Sequence, residues 1–383
     1  MDREERDWHS FETLRAVLRE LPATPPEAAH TLPPAFFTSA AFHALEREQV
    51  FRRDWICLGH ESEIPEAGDF FTAELAGEPL IVCRDAEGEL RVLSNVCRHR
   101  SNIVVQGTGR KRRFVCPYHA WSYGLDGRLL TAPHMDKVPG FEPATCRLPT
   151  FASELWRGFI FVDLDGEAEP LGPRLETLDA LIANYHPERR RTLVTEQETW
   201  KTNWKCLVEN FMEAYHLSPM HPKTLHPMMP TTLCEKVEAG EGCTAYRANY
   251  RPGTPQRTPF PEELTEHERR SSLLFAVFPS FVVAIGPSTL LYLCLFAEDP
   301  EAVRIRWGIL AHPEPEGEAT ARAYVDLVKA FNAEDQATLE TLQKGLKSRR
   351  IERSLLAPAD YEGMIWDFYL YMARRLAASG ALD

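Results

Sequence analysis

From Trp55 to about residue 165 the apolar positions come in short alternating runs, PLIVCRD, ELRVLSNV, RRFVCPY and RGFIFVDL, separated by turn residues such as Ala86-Glu87-Gly88 and Leu125-Asp126-Gly127. A period of two with Gly and Asp-Gly breaks predicts a small all-β domain. After residue 166 the period lengthens. Apolar spacing predicts helices near 174–186 and over roughly 204–217, 318–347 and 359–378, with strands between about 243 and 312. Long helices beside a run of strands argue for an α+β domain built on an antiparallel sheet. Ahead of the β domain, residues 1 to about 40 read as a helix and a Pro-rich arm, and residues 41–53 carry Phe42, Leu45 and Val50 at helical spacing. The expected division is an N-terminal helix and arm over 1–40, a β domain over 41–165 and a mixed domain over 166–383.

The most apolar stretch, Leu273 to Ala297, is interrupted by Pro279, Gly286 and Pro287. It reads as buried strands with a turn at Gly286-Pro287-Ser288 rather than as a membrane span. The charged, amphipathic N-terminus has no apolar core of signal-peptide type, so the expectation is a cytoplasmic protein with no membrane partner. The chain's 383 residues suffice for two domains, and 44% hydrophobic with 26% charged residues is a globular composition. A formal charge of −13 would repel phosphate backbones, which argues against a nucleic-acid partner.

Nine cysteines are an odd number in a large chain and fit a disulfide framework poorly. Seven of them (Cys57, Cys83, Cys146, Cys206, Cys234, Cys243 and Cys294) stand alone and read as packing residues. The other two belong to Cys97-Arg98-His99 and, with sixteen residues between His99 and Cys116, to Cys116-Pro117-Tyr118-His119. Each loop offers one thiolate and one imidazole. A Rieske cluster needs two of each, because two histidines replace two cysteines on one iron. A Cys2His2 zinc site uses the same ligand types but prefers other spacings.

A second constellation lies in NWKCLVENFMEAYHLSPMHP, residues 203–222. On a helix, Glu209, Glu213 and His216 share one face with Asn210 beside it. Pro219 then stops the helix and allows His221 to return beside His216. Two imidazoles and one distant carboxylate make the facial triad of a non-haem Fe(II) oxygenase, with positions left open for O2. Asp335 is the candidate carboxylate. It lines up with Phe331, Leu339 and Leu342 at helical spacing, and an acid on an apolar face is costly to bury unless it is paired or bound to metal. Glu334 is the alternative, and a plain solvated acidic face is the competing reading. His226 lies close enough to compete in the ligand assignment, although lining the pocket mouth or packing suits it better.

The CRHR…CPYHAW pattern resembles the cluster signature of Rieske non-haem iron oxygenase α subunits, and NWK…EN…E-x-x-H-x4-H resembles the iron-site motif of the same family. The resemblance spans nearly the whole chain. It implies a Rieske [2Fe-2S] β domain followed by a helix-grip catalytic domain. Cys97 and Cys116 would hold one cluster iron, His99 and His119 the other, and His216, His221 and Asp335 the mononuclear Fe(II). Asn210 matches an asparagine near that iron, and Glu213 the acid that links the two centres between neighbouring subunits. Electrons would come from NAD(P)H through a flavin/iron-sulfur reductase or ferredoxin, and the implied assembly is a homotrimer. The linking acid is usually Asp in the ring-hydroxylating dioxygenases, so Glu213 points towards the α-only oxygenases that act on quaternary ammonium compounds. The implied reaction is hydroxylation or N-demethylation of a small substrate, with mono- or dioxygenation of an aromatic ring as the alternative. An electron-transfer protein without oxygenase activity is the remote one. Late-domain aromatics (Phe275, Phe278, Phe281, Tyr292, Phe296, Trp366, Phe368 and Tyr369) would serve as a cation–π cage or as ordinary core.

Overall fold

The computed structural model describes residues 7–351 and 353–382, in two compact units. The first six residues of the expected N-terminal helix lie outside that range. The smaller unit is Arg52–Glu169; the larger comprises the chain up to Phe51 and from Pro170 onward.

Three antiparallel sheets build the smaller unit. Ile56–His60 pairs with Phe159–Asp163 and that strand with Ala152–Trp156. Leu90–Ser94, Glu78–Arg84, Asp69–Leu75 and Thr108–Arg110 form the second sheet, and Phe114–Val115, Ser122–Tyr123 and Leu129–Thr131 the third. The alternation in the sequence is visible in the packing: Phe70, Ile81, Leu93, Phe114, Tyr123 and Leu148 close one core, and Cys97 and Cys116 project into it from the loops.

A seven-stranded antiparallel sheet organises the larger unit, in the order Arg191–Trp200, Ala302–Ala311, Thr289–Asp299, Phe281–Ile285, Ser271–Val277, Cys243–Asn249 and Cys234–Val237. The turn at Gly286-Pro287-Ser288 falls between two of these strands, as expected. The first strand was not expected. Its half-exposed, charged sequence RTLVTEQETW carries little alternation, and tertiary partners hold it: Glu198 accepts from the indole N–H groups of Trp200 and Trp307 at 2.9 and 2.7 Å. Two long helices pack on the sheet, Pro315–Gly345 and Ala359–Ala378. The second buries Met364, Ile365, Phe368, Tyr369, Met372 and Leu376, a stripe with helical period.

The N-terminal segment is not a separate arm. Phe36 stacks edge-on against Tyr369 with ring centroids 5.7 Å apart, and Asn203 donates to the Phe37 carbonyl at 2.9 Å. The helix over 41–53, expected to open the β domain, also belongs to the larger unit. Ala40–Glu46 carries the fully buried Glu46, whose carboxylate sits 2.6 Å from the equally buried Lys205 ammonium. Neither charge tolerates that burial alone, so the pair ties this helix to Trp204–Phe211. The unit boundaries therefore fall near residues 52 and 169 rather than 41 and 165.

Candidate metal centres

In the smaller unit the two ligand loops repeat one design. Ser101 N–H donates to the Cys97 carbonyl at 3.0 Å, and Ala120 N–H to the Cys116 carbonyl at 3.1 Å. Each loop thus closes over five residues, and its last residue takes a left-handed conformation, φ 53° at Ser101 and 58° at Ala120. Non-glycine residues rarely adopt that geometry, and it costs roughly 1–2 kcal/mol per residue. Asn95 braces the first loop, accepting from the N–H groups of Val104 and Val105 at 3.1 and 3.0 Å.

The loops turn both cysteines inward and both histidines outward. Cys97 and Cys116 are buried, whereas His99 and His119 are exposed with their Nδ1 atoms 3.1 Å apart. Trp121 stacks flat on His99, at 4.9 Å and 8°. The Tyr123 hydroxyl lies 3.2 Å from Cys97 Sγ and accepts from Arg98 N–H at 3.0 Å. Burial raises the Cys97 thiol, and the adjacent Cys116 adds to that. Two converging thiols and two imidazoles whose nitrogens face each other fit a Rieske cluster. Trp121 and Tyr123, which the motif reading did not single out, frame it.

In the larger unit, Asn203 caps Trp204–Phe211 by accepting from Lys205 N–H at 3.0 Å. The helix then stops at Phe211, short of the expected residue 217. Two interactions pull the chain out. Ala214 N–H donates to the Tyr361 carbonyl at 2.9 Å, and the Glu213 carboxylate accepts from the His216 backbone N–H at 3.0 Å. The expected single helical face of Glu209, Glu213 and His216 is therefore replaced by a capped turn. Glu209 is left half-buried behind it, its carboxyl pushed up to about 8 chiefly by desolvation.

The same turn brings the metal-type side chains together. His216, His221 and Asp335 each offer one ligand atom, and these atoms lie within 4.8 Å of one another. His221 Nε2 is 3.2 Å and His216 Nε2 3.9 Å from Asp335 Oδ1. The outer nitrogens are held by other carboxylates: His216 Nδ1 by Glu213, and His221 Nδ1 by Glu334 at 2.7 Å. Each ring donates from Nδ1, so each Nε2 lone pair points at the Asp335 oxygen. Lone pairs facing at such distances repel unless a proton or a metal cation sits between them, and His221 Nε2 has no hydrogen-bond partner. The trio therefore fits a metal ion. Burial lowers the His221 imidazole, and the carboxylates of Asp335 and Glu334 outweigh it and raise the ring overall.

Glu334, considered as an alternative ligand, points elsewhere. It takes His221 Nδ1 and the Thr224 hydroxyl, both at 2.7 Å. Asn210 donates to Asp335 Oδ1 at 3.0 Å. His226 packs by bonding Ser218 Oγ at 2.9 Å and takes no part in the trio.

A cavity opens from the trio. Its far wall is the sheet face bearing Tyr246, Leu274, Ala284 and Leu291, and its near wall is the long helix with Tyr324, Leu327, Phe331 and Asp335 in one stripe. None of the eight aromatics weighed as cage or core, from Phe275 to Tyr369, lines it. They are core residues, as in the edge-on contact between Phe368 and Trp204 at 5.7 Å. The rings that do line the cavity are Phe211, Tyr246, Tyr250, Tyr324 and Phe331.

Two thiols and two imidazoles in a β domain, with a two-histidine, one-carboxylate trio in an antiparallel domain, define a class: the chain belongs to the Rieske non-haem iron oxygenase α subunits. Residues 54–142 match the Rieske [2Fe-2S] domain, and residues 182–378 match the ring hydroxylating alpha subunit catalytic domain. The chain is 30% identical over 341 residues to the carnitine monooxygenase oxygenase subunit of Escherichia coli K12, covering 87% of this chain and 88% of that one. It is 32% identical over 219 residues to the chloroplastic choline monooxygenase of Beta vulgaris, covering 55% of this chain and 48% of that protein. The crystal structure of a quaternary ammonium Rieske monooxygenase with an inhibitor superposes with a TM-score of 0.82 at 25% identity, over 95% of this chain and 98% of that one. Naphthalene 1,2-dioxygenase from a Rhodococcus species shares the fold, with a TM-score of 0.81 at 22% identity over 97% of this chain and 99% of that one. The protein is thus an iron oxygenase that uses O2 and reductase-supplied electrons, with a [2Fe-2S] cluster and a mononuclear iron as its cofactors.

Proposed function

We propose that this oxygenase hydroxylates or N-demethylates a small quaternary amine. In this reading Cys97, His99, Cys116 and His119 hold the cluster, and His216, His221 and Asp335 hold the iron. When bound, the cluster supplies stored electrons and the iron a place for O2 to be reduced. The protein's own groups do the rest. Glu213 and Glu334 fix both histidines in the tautomer whose Nε2 is free to ligate. Asn210 holds the Asp335 carboxylate from the side. The apolar walls keep bulk water from the reacting carbon.

The carrying observation is the full-length likeness to a carnitine monooxygenase subunit. Charge supports it: Glu213, Glu334 and Asp335 contribute −3 against +2 for Fe(II), so the metal end of the cavity favours a cation. Rings at the cavity wall offer the cation–π faces that the core aromatics do not. Glu213, joined to His216, also suits contact with a cluster histidine of a neighbouring subunit, which fits a cytoplasmic homotrimer served by a flavin/iron-sulfur reductase or a ferredoxin.

The test is a single-turnover screen of reduced holoenzyme with O2 against quaternary amines and aromatic acids, read by mass spectrometry. An added oxygen on an amine, or loss of a methyl as formaldehyde, is the expected result. A hydroxylated or dihydroxylated ring with untouched amines would overturn the assignment.

A further inference from the structure

The segment that carries both histidines winds back on itself after the metal site. His226 N–H donates to the His221 carbonyl at 3.0 Å, and the N–H groups of Met228 and Met229 donate to the Leu225 carbonyl at 3.0 and 2.8 Å. Thr231 then returns to the start. Its hydroxyl donates to the Ala214 carbonyl at 2.8 Å, and its N–H to Ser218 Oγ at 3.0 Å. Residues 214–231 thus form one closed coil, and it brings two consecutive methionines to the cavity that His216 and His221 also line. The two differ in access. Met229 is 8% exposed, so the cavity is its route to solvent, whereas Met228 is half-buried.

As wall material, leucine would pack about as well as methionine. A thioether differs in one chemical respect. Its sulfur takes up an oxygen atom from a peroxide, giving a sulfoxide that reductases reverse. Neither cysteine nor tryptophan is among the lining residues, so these two sulfurs are the readiest two-electron reductants in the cavity.

A site that receives O2 and stored electrons with no substrate carbon in place has a second outlet. Two electrons and two protons convert O2 to hydrogen peroxide, which is released into the cavity. We propose that Met228 and Met229 are the sites that intercept this peroxide. The sulfur lone pair attacks one peroxide oxygen and the O–O bond breaks. The departing hydroxide takes the proton left on the sulfur-bound oxygen, so thioether and peroxide become sulfoxide and water. Sulfur is oxidised by two electrons and the peroxide reduced by two. Each sulfoxide also puts a polar group where the wall was apolar, and so marks a chain that has turned over empty. The inference rests on O2 being reduced at the His216, His221 and Asp335 trio, as in the proposed function, and not on the identity of the substrate.

The experiment takes reduced holoenzyme through repeated exposure to O2 without substrate, with catalase in the bulk to destroy escaped peroxide. Peptide mass spectrometry then reads one added oxygen at each methionine. Other methionines are built-in controls. Met135 and Met220 are half-buried like Met228 but do not line the cavity, and Met212, Met364 and Met372 are fully buried. Sulfoxide is expected at Met228 and Met229, with Met135 and Met220 no higher than in protein kept from O2. Asp335→Ala, which keeps the cluster ligands, should lose the modification. A double variant, Met228→Leu with Met229→Leu, nearly conserves volume. With catalase left out, it should release more peroxide per electron consumed than wild type does. Oxidation that follows exposure, with Met135 and Met220 ahead of Met229, overturns interception and leaves the two residues as apolar wall. Equal peroxide release from wild type and double variant does the same. Unmodified methionines in wild type overturn the inference alone. Sulfoxide at Met228 and Met229 that persists in Asp335→Ala overturns the O2 site of the proposed function along with it.

Discussion

Replacing Glu334 by Ala tests whether the site works through the ring tautomers described above. The carboxylate accepts from His221 Nδ1 at 2.7 Å, and the His221 side chain is completely buried while that of Glu334 is one-third exposed. Alanine leaves the Nδ1 proton without an acceptor and frees the ring to rotate or change tautomer. Water reaching the exposed side of the gap recovers part of the loss. Carboxylates that orient a ligating histidine are typically worth 10–100-fold in metal affinity. That one-third exposure places Glu334→Ala near the lower bound, about 10-fold or ~1.4 kcal/mol. Glu334→Gln, which keeps an acceptor oxygen, should lose less. Asp335→Ala, which removes a ligand, should lose far more. The assay is equilibrium dialysis against an Fe(II) buffer, with bound iron counted beyond the two irons per chain of the cluster. The cluster's visible absorbance serves as the internal control, because it belongs to the other unit and should not change. Unaltered iron affinity in Glu334→Ala would refute the orienting role. Loss as deep as that of Asp335→Ala would instead make Glu334 a ligand.

Tyr123→Phe removes the hydroxyl beside Cys97 Sγ. Donors to a cluster's sulfur ligands raise its potential, so redox titration should find the variant's cluster harder to reduce, and an unchanged potential would break the link. Glu209 has a carboxyl raised to about 8 against an ordinary value of 4.5, so the folded protein holds its proton over a range in which the unfolded chain has lost it. That stabilising contribution is complete below pH 4.5 and falls as pH rises towards 8, by up to ~1.4 kcal/mol per pH unit. Denaturant titrations should show Glu209→Gln flattening this decline; identical slopes in the two proteins would contradict it.

The parts of the site that can be read in the sequence are those whose ligands are neighbours in the chain. Cys97 with His99 and Cys116 with His119 each occupy one five-residue loop, so spacing alone carries the chemistry. His216 and His221 are similarly local. Asp335 stood out only as an acid among apolar neighbours, and its separation from Glu334 needs the fold: adjacent helical residues point about 100° apart, one to the metal position and one to the back of His221. The early end of the Trp204 helix was not legible, because the Tyr361 carbonyl that draws Ala214 away is 147 residues downstream. Whether the late-domain aromatics form core or cage was open in the sequence for a related reason, and they form core. Strand residues alternate between faces, and period alone does not say which face meets the cavity.

One uninterrupted helix, Pro315–Gly345, carries both Tyr324 on the cavity wall and Asp335 of the metal-type trio, while both histidines come from a different segment. The helix is in effect a lever. A rigid tilt of a few degrees that shifts Tyr324 also moves the Asp335 oxygen by some tenths of an ångström relative to the two imidazoles, given about 16 Å between the two positions. The shape of the cavity beside Tyr324 and the spacing of the three metal-type side chains therefore depend on the seating of one and the same element.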